Sequence, residues 1–249
     1  MRKIFIYVLL IISCFGLCGC NKEYKLANNS IAEIRYNIFA GSNDNLSITF
    51  MSGQREKDYV INGYNTDLVD FGVITITINN PEIDTTNSSV ALTIDTLRYE
   101  EVLEKNPFDG TLVADIGVVV NNNINNMSAK VFIGESVDEI TLTNLSYDWE
   151  VDCNKALKLA CNELSNELSP LMTNEFLGEV YIKIIEDTIS NNGHLWYVNF
   201  ISRDGIQHSV IIDPSSSEIL AKKWLIFVHR IYARNMSATF KRCSQKQIN

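Results

Sequence analysis

The sequence predicts an α+β, β-rich fold: an N-terminal antiparallel β-sandwich followed by a small module of one helix and an antiparallel sheet. Two observations carry this prediction. From about residue 31 to 148 the apolar residues recur with a period of two, as in Ile74, Ile76 and Ile78 alternating with Thr75 and Thr77. After Trp149 the period changes, and Cys153, Leu157, Ala160, Cys161, Leu164 and Leu168 recur at steps of three and four.

The chain opens on a basic pair, Arg2 and Lys3, and an apolar run from Ile4 to Leu17 broken only by Ser13 and Gly16. Fourteen helical residues reach about 21 Å, short of the ~30 Å hydrocarbon core, so the run fits the apolar region of a signal peptide better than a spanning helix. It ends in Leu17-Cys18-Gly19-Cys20. This resembles the lipobox of bacterial lipoproteins, although Cys18 stands where Ala, Ser or Thr is commoner. The resemblance implies that residues 1–19 are removed and that Cys20 becomes a lipidated N-terminus. It also implies a thioether-linked diacylglyceryl group on Cys20, an extracytoplasmic location at the cell membrane, and near-permanent attachment by two or more acyl chains.

Residues 20–30 are polar and read as a spacer. The predicted strands of the 31–148 region centre on Ile34–Phe39, Leu46–Phe50, Ile74–Ile78, Val90–Ile94, Leu112–Val120, Lys130–Ile133 and Ile140–Leu142. Turn residues separate them, among them Gly41–Asn45, Asn62-Gly63, Asn79-Asn80-Pro81, Asp109-Gly110 and the Asn121–Asn126 tract. Arg98–Lys105 reads as one or two helical turns stopped by Pro107. Short strands with one apolar face each need a second sheet to cover them, which points to a sandwich.

In the 149–221 module Asp152 stands at the expected helix N-cap and Pro170 beyond its end. Strands are expected at Glu179–Ile185, Leu195–Ile201 and Gln207–Ile212, with a turn at Arg203-Asp204-Gly205. The Ala/Leu-rich helix, Trp196-x-Val198-x-Phe200, Asp204-Gly205 and Ile211-Ile212-Asp213 ending in Glu218-Ile219-Leu220 together resemble the PepSY repeat over residues 150–220. That resemblance implies an inhibitory or scaffolding contact with a secreted or membrane protease. Ser216 and Ser217 stand where the repeat usually carries Gly. Residues 222–249 form a basic tail with an apolar stretch, Trp224–Val228, which would dock on the acidic body or lie on an anionic lipid surface.

Charge narrows the partners. The formal charge is −9, and −11 without residues 1–19; residues 20–221 carry 12 Lys and Arg against 30 Asp and Glu. Such a body disfavours nucleic acid and favours cations or basic partners. Beyond Cys20 the cysteines are Cys153, Cys161 and Cys243. The first two, eight apart on one helix, sit about 12 Å from each other, beyond disulfide reach, and read as small buried apolar residues.

No zinc spacing, nucleophile elbow, P-loop or dinucleotide fingerprint occurs, and no cofactor is implied. His194 and His208 fall on the two strands of one hairpin and read as surface residues. Asp67/Asp70 and Asp109/Asp115 are the carboxylate pairs that an acid–base or Ca²⁺ site would use. A candidate binding loop lies between Ser52 and Gly72, with Arg55, Glu56 and Asp70 as its charged residues. The expectation is a surface lipoprotein that binds, inhibits or scaffolds an envelope or secreted protein. Alternatives are an envelope-polymer hydrolase using paired carboxylates, or a solute-binding lipoprotein.

Overall fold

A computed structural model describes residues 20–57, 67–80, 85–187 and 193–226. The chain runs α1 (Cys20–Asn28), β1 (Ile31–Ser42), β2 (Leu46–Glu56), β3 (Leu68–Ile78), β4 (Ser89–Ile94), β5 (Leu97–Val102), β6 (Glu104–Lys105), β7 (Leu112–Asp115), β8 (Asn126–Ile133) and β9 (Ser136–Asn144). It continues with α2 (Cys153–Glu163), α3 (Ser165–Leu168), β10 (Gly178–Glu186), β11 (His194–Ser202), β12 (Ile206–Ile212) and β13 (Ile219–Ile226). The α+β, β-rich class is as expected from sequence.

The two layers expected of a sandwich are two parts of one sheet that coils back on itself. Its order is β5-β4-β8-β9-β1-β2-β3-β7-β6, antiparallel throughout. Only Leu103 separates β5 from β6, so the two ends of the sheet nearly meet. Leu103 is buried, and its N–H donates to Ser88 O at 2.9 Å. The alternating residues Ile74, Ile76, Leu46, Ile48, Phe50, Leu92, Ile140 and Leu142 all point into this coil and form one core. A nearly closed sheet buries one face of its inner strands without a second set of strands, which is why their alternation is so regular.

A second core lies under α2. Strands β10 to β13 form an antiparallel run, and β10 pairs in parallel with the first residues of β1, Ile31 opposite Val180 and Ile34 opposite Ile182. Helix α2 buries Cys153, Ala156, Leu157, Ala160 and Cys161 against Val180, Ile182, Trp196, Val198 and Phe200. Its N-cap is Asp152, whose Oδ1 accepts from Lys155 N–H at 2.7 Å. Cys153 and Cys161 are buried and not joined in a disulfide, and burial raises the Cys153 thiol to about 11, with Asp152 adding to the shift.

Strand β1 belongs to both cores. Its register shifts between Arg35 and Asn37, a bulge, and Ile34 and Ile38 lie in the core under α2 while Phe39 lies inside the coiled sheet. Gly53 faces the bulge, where a Cβ would stand only 2.0 Å from Ile34 O. Just after the bulge, buried Asn37 donates to Val120 O at 2.7 Å and Asn122 Oδ1 at 3.1 Å and accepts from Ser52 Oγ at 2.8 Å. Ser52 Oγ in turn accepts from Val120 N–H at 3.0 Å. This satisfied cluster pins the 116–125 segment over the coil mouth.

Four local expectations are corrected, the first being that His208, expected at the surface, is buried on β12. Residues 20–28 form helix α1 rather than a spacer, with Ala27 fully buried and Tyr24 and Leu26 packed on the second core. Arg98–Lys105 forms strands β5 and β6 rather than helical turns, because its backbone pairs with β4 and β7. The first residues of the basic tail, up to Ile226, extend β13 along β12. Residues 1–19, Asn62-Gly63, Pro81, Cys243 and the tail beyond Ile226 lie outside the described residues.

Candidate functional site

The residues singled out from sequence occupy ordered positions. Arg55 and Glu56 end β2 and Asp70 lies on β3, in register as Arg55–Val69, Gln54–Asp70 and Glu56–Leu68. Arg55 pairs with Asp115 at 2.7 Å and sits over the Phe71 ring, 5.2 Å from its centre. Tyr36 Oη donates to Gln54 Oε1, and Gln54 Nε2 donates to Asp70 Oδ1, each at 2.8 Å. These are cross-strand contacts on an exposed sheet surface. An ion pair as open as Arg55–Asp115 contributes at most about 1 kcal/mol.

Three of the four carboxylates in the two pairs are engaged locally, and Asp67 is exposed just before β3. Asp109 accepts from Thr111 N–H and Thr111 Oγ1, which hold its carboxyl below the ordinary range. Asp115 accepts from Gly72 and Gly117 N–H as well as from Arg55. Asp70 accepts from Gln54. Among the described residues, no group of three or more His, Cys, Asp or Glu is placed to hold a metal ion, and no helix is long and apolar enough to cross a membrane. Cys20 is the first residue of α1.

A different place has the geometry of a site. The segment between β9 and α2 carries Leu145, Tyr147 and Trp149 at alternate positions, with Leu145 and Tyr147 41% and 47% exposed. Its backbone is held at both ends, by Leu145 N–H on Ile38 O at 2.8 Å and Val151 N–H on Pro214 O at 3.0 Å. Two cavities meet at Trp149. One, of about 390 Å³, is lined by Tyr36, Asn122, Asn123, Ser146, Tyr147, Trp149, Val151, Asp152 and Trp196. The other, of about 470 Å³, is lined by Leu145, Trp149, Asp187, Gly193, His194, Leu195, Asp213, Pro214, Ser215 and Leu220.

Trp149 is held from behind. Its ring meets that of Trp196 at 76° with centres 5.4 Å apart, a favourable edge-to-face arrangement. Trp196 is almost fully buried, and its Nε1 donates to Val151 O at 2.7 Å. Both cavities are of the size that small ligands occupy, and a rigid aromatic wall with a few polar groups is the usual make-up of such sites. Sequence reasoning passed over this place although the alternation Leu145-x-Tyr147-x-Trp149 signals it. The segment straddles the 148/149 boundary between the two predicted modules.

Electrostatics in the larger cavity are set by Asp213, Asp187 and His194. The backbone N–H groups of Ser216 and Ser215 hold the Asp213 carboxyl below its ordinary value, against a small opposing effect of burial. Burial lowers His194, opposed by Glu186 across the β10–β11 pair, so its ring is neutral at pH 7.

No family model matches this chain, and neither the curated proteins nor the solved structures give a match.

Proposed function

We propose that this protein is a lipid-anchored component of the extracytoplasmic face of a bacterial cell membrane, and that it works by binding a ligand or partner in the clefts flanking Trp149. The anchor is supported by the sequence: a basic start, an apolar run too short to span, and Leu17-Cys18-Gly19-Cys20. A lipid on Cys20 would hold the body close to the bilayer. Helix α1, which follows at once, is packed on the second core and tied to α3's end by Ser169 Oγ donating to Glu23 Oε1 at 2.9 Å.

The observation that carries the binding reading is Trp149, a partly exposed ring shared by two cavities and braced on a buried one. A ring held in place before the ligand arrives loses little side-chain entropy on binding. The helix over an antiparallel run of strands fits the architecture implied by the PepSY resemblance, and an envelope or secreted protein is the partner that reading favours. For a hydrolase, Asp70, Asp109 and Asp115 would first have to leave the turn, strand and ion-pair contacts described above.

Photo-crosslinking in the native cell tests the proposal. A photoreactive residue in place of Tyr147 is expected to yield a discrete adduct, while one in place of Glu101, on edge strand β5, yields none. Equal labelling from both positions, or none from Tyr147, would overturn the cleft as the site.

A further inference from the structure

The lining of the Trp149 clefts indicates the charge of the occupant; this inference rests on the binding reading above. Asp152 borders one cavity and Asp187 and Asp213 the other, and among the described lining residues there is no Lys or Arg. Asp213 stays ionised, since backbone N–H groups stabilise its carboxylate. Tyr36, Tyr147 and Trp149 add aromatic rings, whose faces carry the negative end of the ring quadrupole. Every fixed charge and every ring face there disfavours an anion, and the acidic body strengthens the same field over a longer range.

An inorganic cation does not use the rest of the lining. The cavities present apolar surface from Leu145, Leu195, Pro214 and Leu220 beside the carboxylates. A hard metal ion wants several oxygen ligands converging within a few ångström, whereas an ammonium or guanidinium on an apolar stem uses ring, aliphatic wall and carboxylate at once. Trp is the best of the aromatic partners for such a group.

We propose that the Trp149 clefts bind an organic cation, an ammonium or guanidinium group carried on an apolar stem, seated against the Trp149 ring and balanced by the cleft carboxylates. The group can belong to a free amine or to a Lys or Arg side chain of a peptide, and the two are distinguished by the probes below.

The test is calorimetric titration of the mature full-length protein in detergent with choline and with N-acetyl-lysine methylamide. Each is paired with its neutral isostere, 3,3-dimethylbutanol or N-acetyl-2-aminoheptanoic acid methylamide. At least one cation is expected to bind saturably and about tenfold tighter than its isostere, the scale of one desolvated cation–π contact. Preference for choline identifies a free amine, and preference for the lysine derivative a peptide side chain. Trp149→Ala and the more exposed Tyr147→Ala are each expected to weaken binding severalfold, with folding checked by circular dichroism. Isosteres that bind as tightly as the cations, yet still depend on Trp149, would overturn the cation assignment and leave the cleft reading standing. Binding indifferent to both substitutions would overturn both, and no saturable binding of either cation would overturn the cation assignment.

Discussion

The Trp196 indole donates its only N–H to the Val151 carbonyl at 2.7 Å while its ring meets that of Trp149 edge to face. A buried residue of β11 thereby fixes both the backbone and the exposed ring of the segment that joins the coiled sheet to α2. Trp196→Phe removes the donor, strands a carbonyl and leaves a small void. The expected loss is about 2–4 kcal/mol of stability, read as a lower denaturation midpoint. Trp149→Ala, a partly exposed site, should cost about half as much or less. Equal losses would mean that Trp196 does not brace the segment.

Asn37 supplies a second test, of how β1 serves two cores. It is fully buried, and its side chain hydrogen-bonds Val120, Asn122 and Ser52. Asn37→Leu keeps the number of side-chain heavy atoms, adds bulk at a fully buried site and removes the polar partners, leaving Val120 O and the Ser52 hydroxyl without Asn37. The expected cost is about 2–4 kcal/mol. A urea midpoint within error of the parent would contradict the role given to this cluster.

Gly53 tests the bulge itself. A methyl group there falls 2.0 Å from the Ile34 carbonyl oxygen, a backbone atom that can move only by shifting β1. Gly53→Ala is expected to destabilise by about 1–3 kcal/mol, and amide exchange should rise at Ile34 and Ile38 on the same strand. An unchanged melting temperature would show that the bulge relaxes freely.

Acid should weaken the fold in two steps. Burial lowers His194, and also His208, where Glu167 opposes it. Because the folded values lie below the ordinary 6.5, the unfolded chain takes up protons first, and stability falls as pH drops below about 6.5. Glu33 follows at lower pH. Burial pushes its carboxyl up, but the Lys183 contact at 2.7 Å, the Arg35 charge and the Arg35 contact at 2.8 Å outweigh it and hold it below 4.5. Its contribution is complete above about pH 4.5 and is lost as pH falls through the folded value. Glu33→Gln should shrink the lower step, to which Asp109, Glu139 and Asp213 also contribute, and leave the upper one, in urea titrations run from pH 7 to 3. A variant that loses the upper step instead would reverse this assignment.

The strands legible in sequence are those with one face in the core, such as Ile74–Ile78 and Leu46–Phe50. Helix α2 was legible for a similar reason, since its buried residues follow its period and Asp152 caps it. Strand β5 was not, because all of its residues but Tyr99 are exposed and an edge strand wet on both faces has no apolar rhythm. Nor could the sequence foretell that β1 pairs with β10, some 150 residues later, since nothing local encodes a partner at that distance. Helix α1 hid behind its polar side: among its described side chains, Tyr24, Leu26 and Ala27 pack on the core. The Trp149 clefts form only when the segment after β9, the loop before β8 and the β10–β11 end come together.

The anchor is tested most directly by intact mass and N-terminal peptide analysis of the protein taken from its native membrane. The account predicts a chain beginning at Cys20 whose sulfur carries a diacylglyceryl group. A free thiol at Cys20, or residues 1–19 still attached, would contradict it.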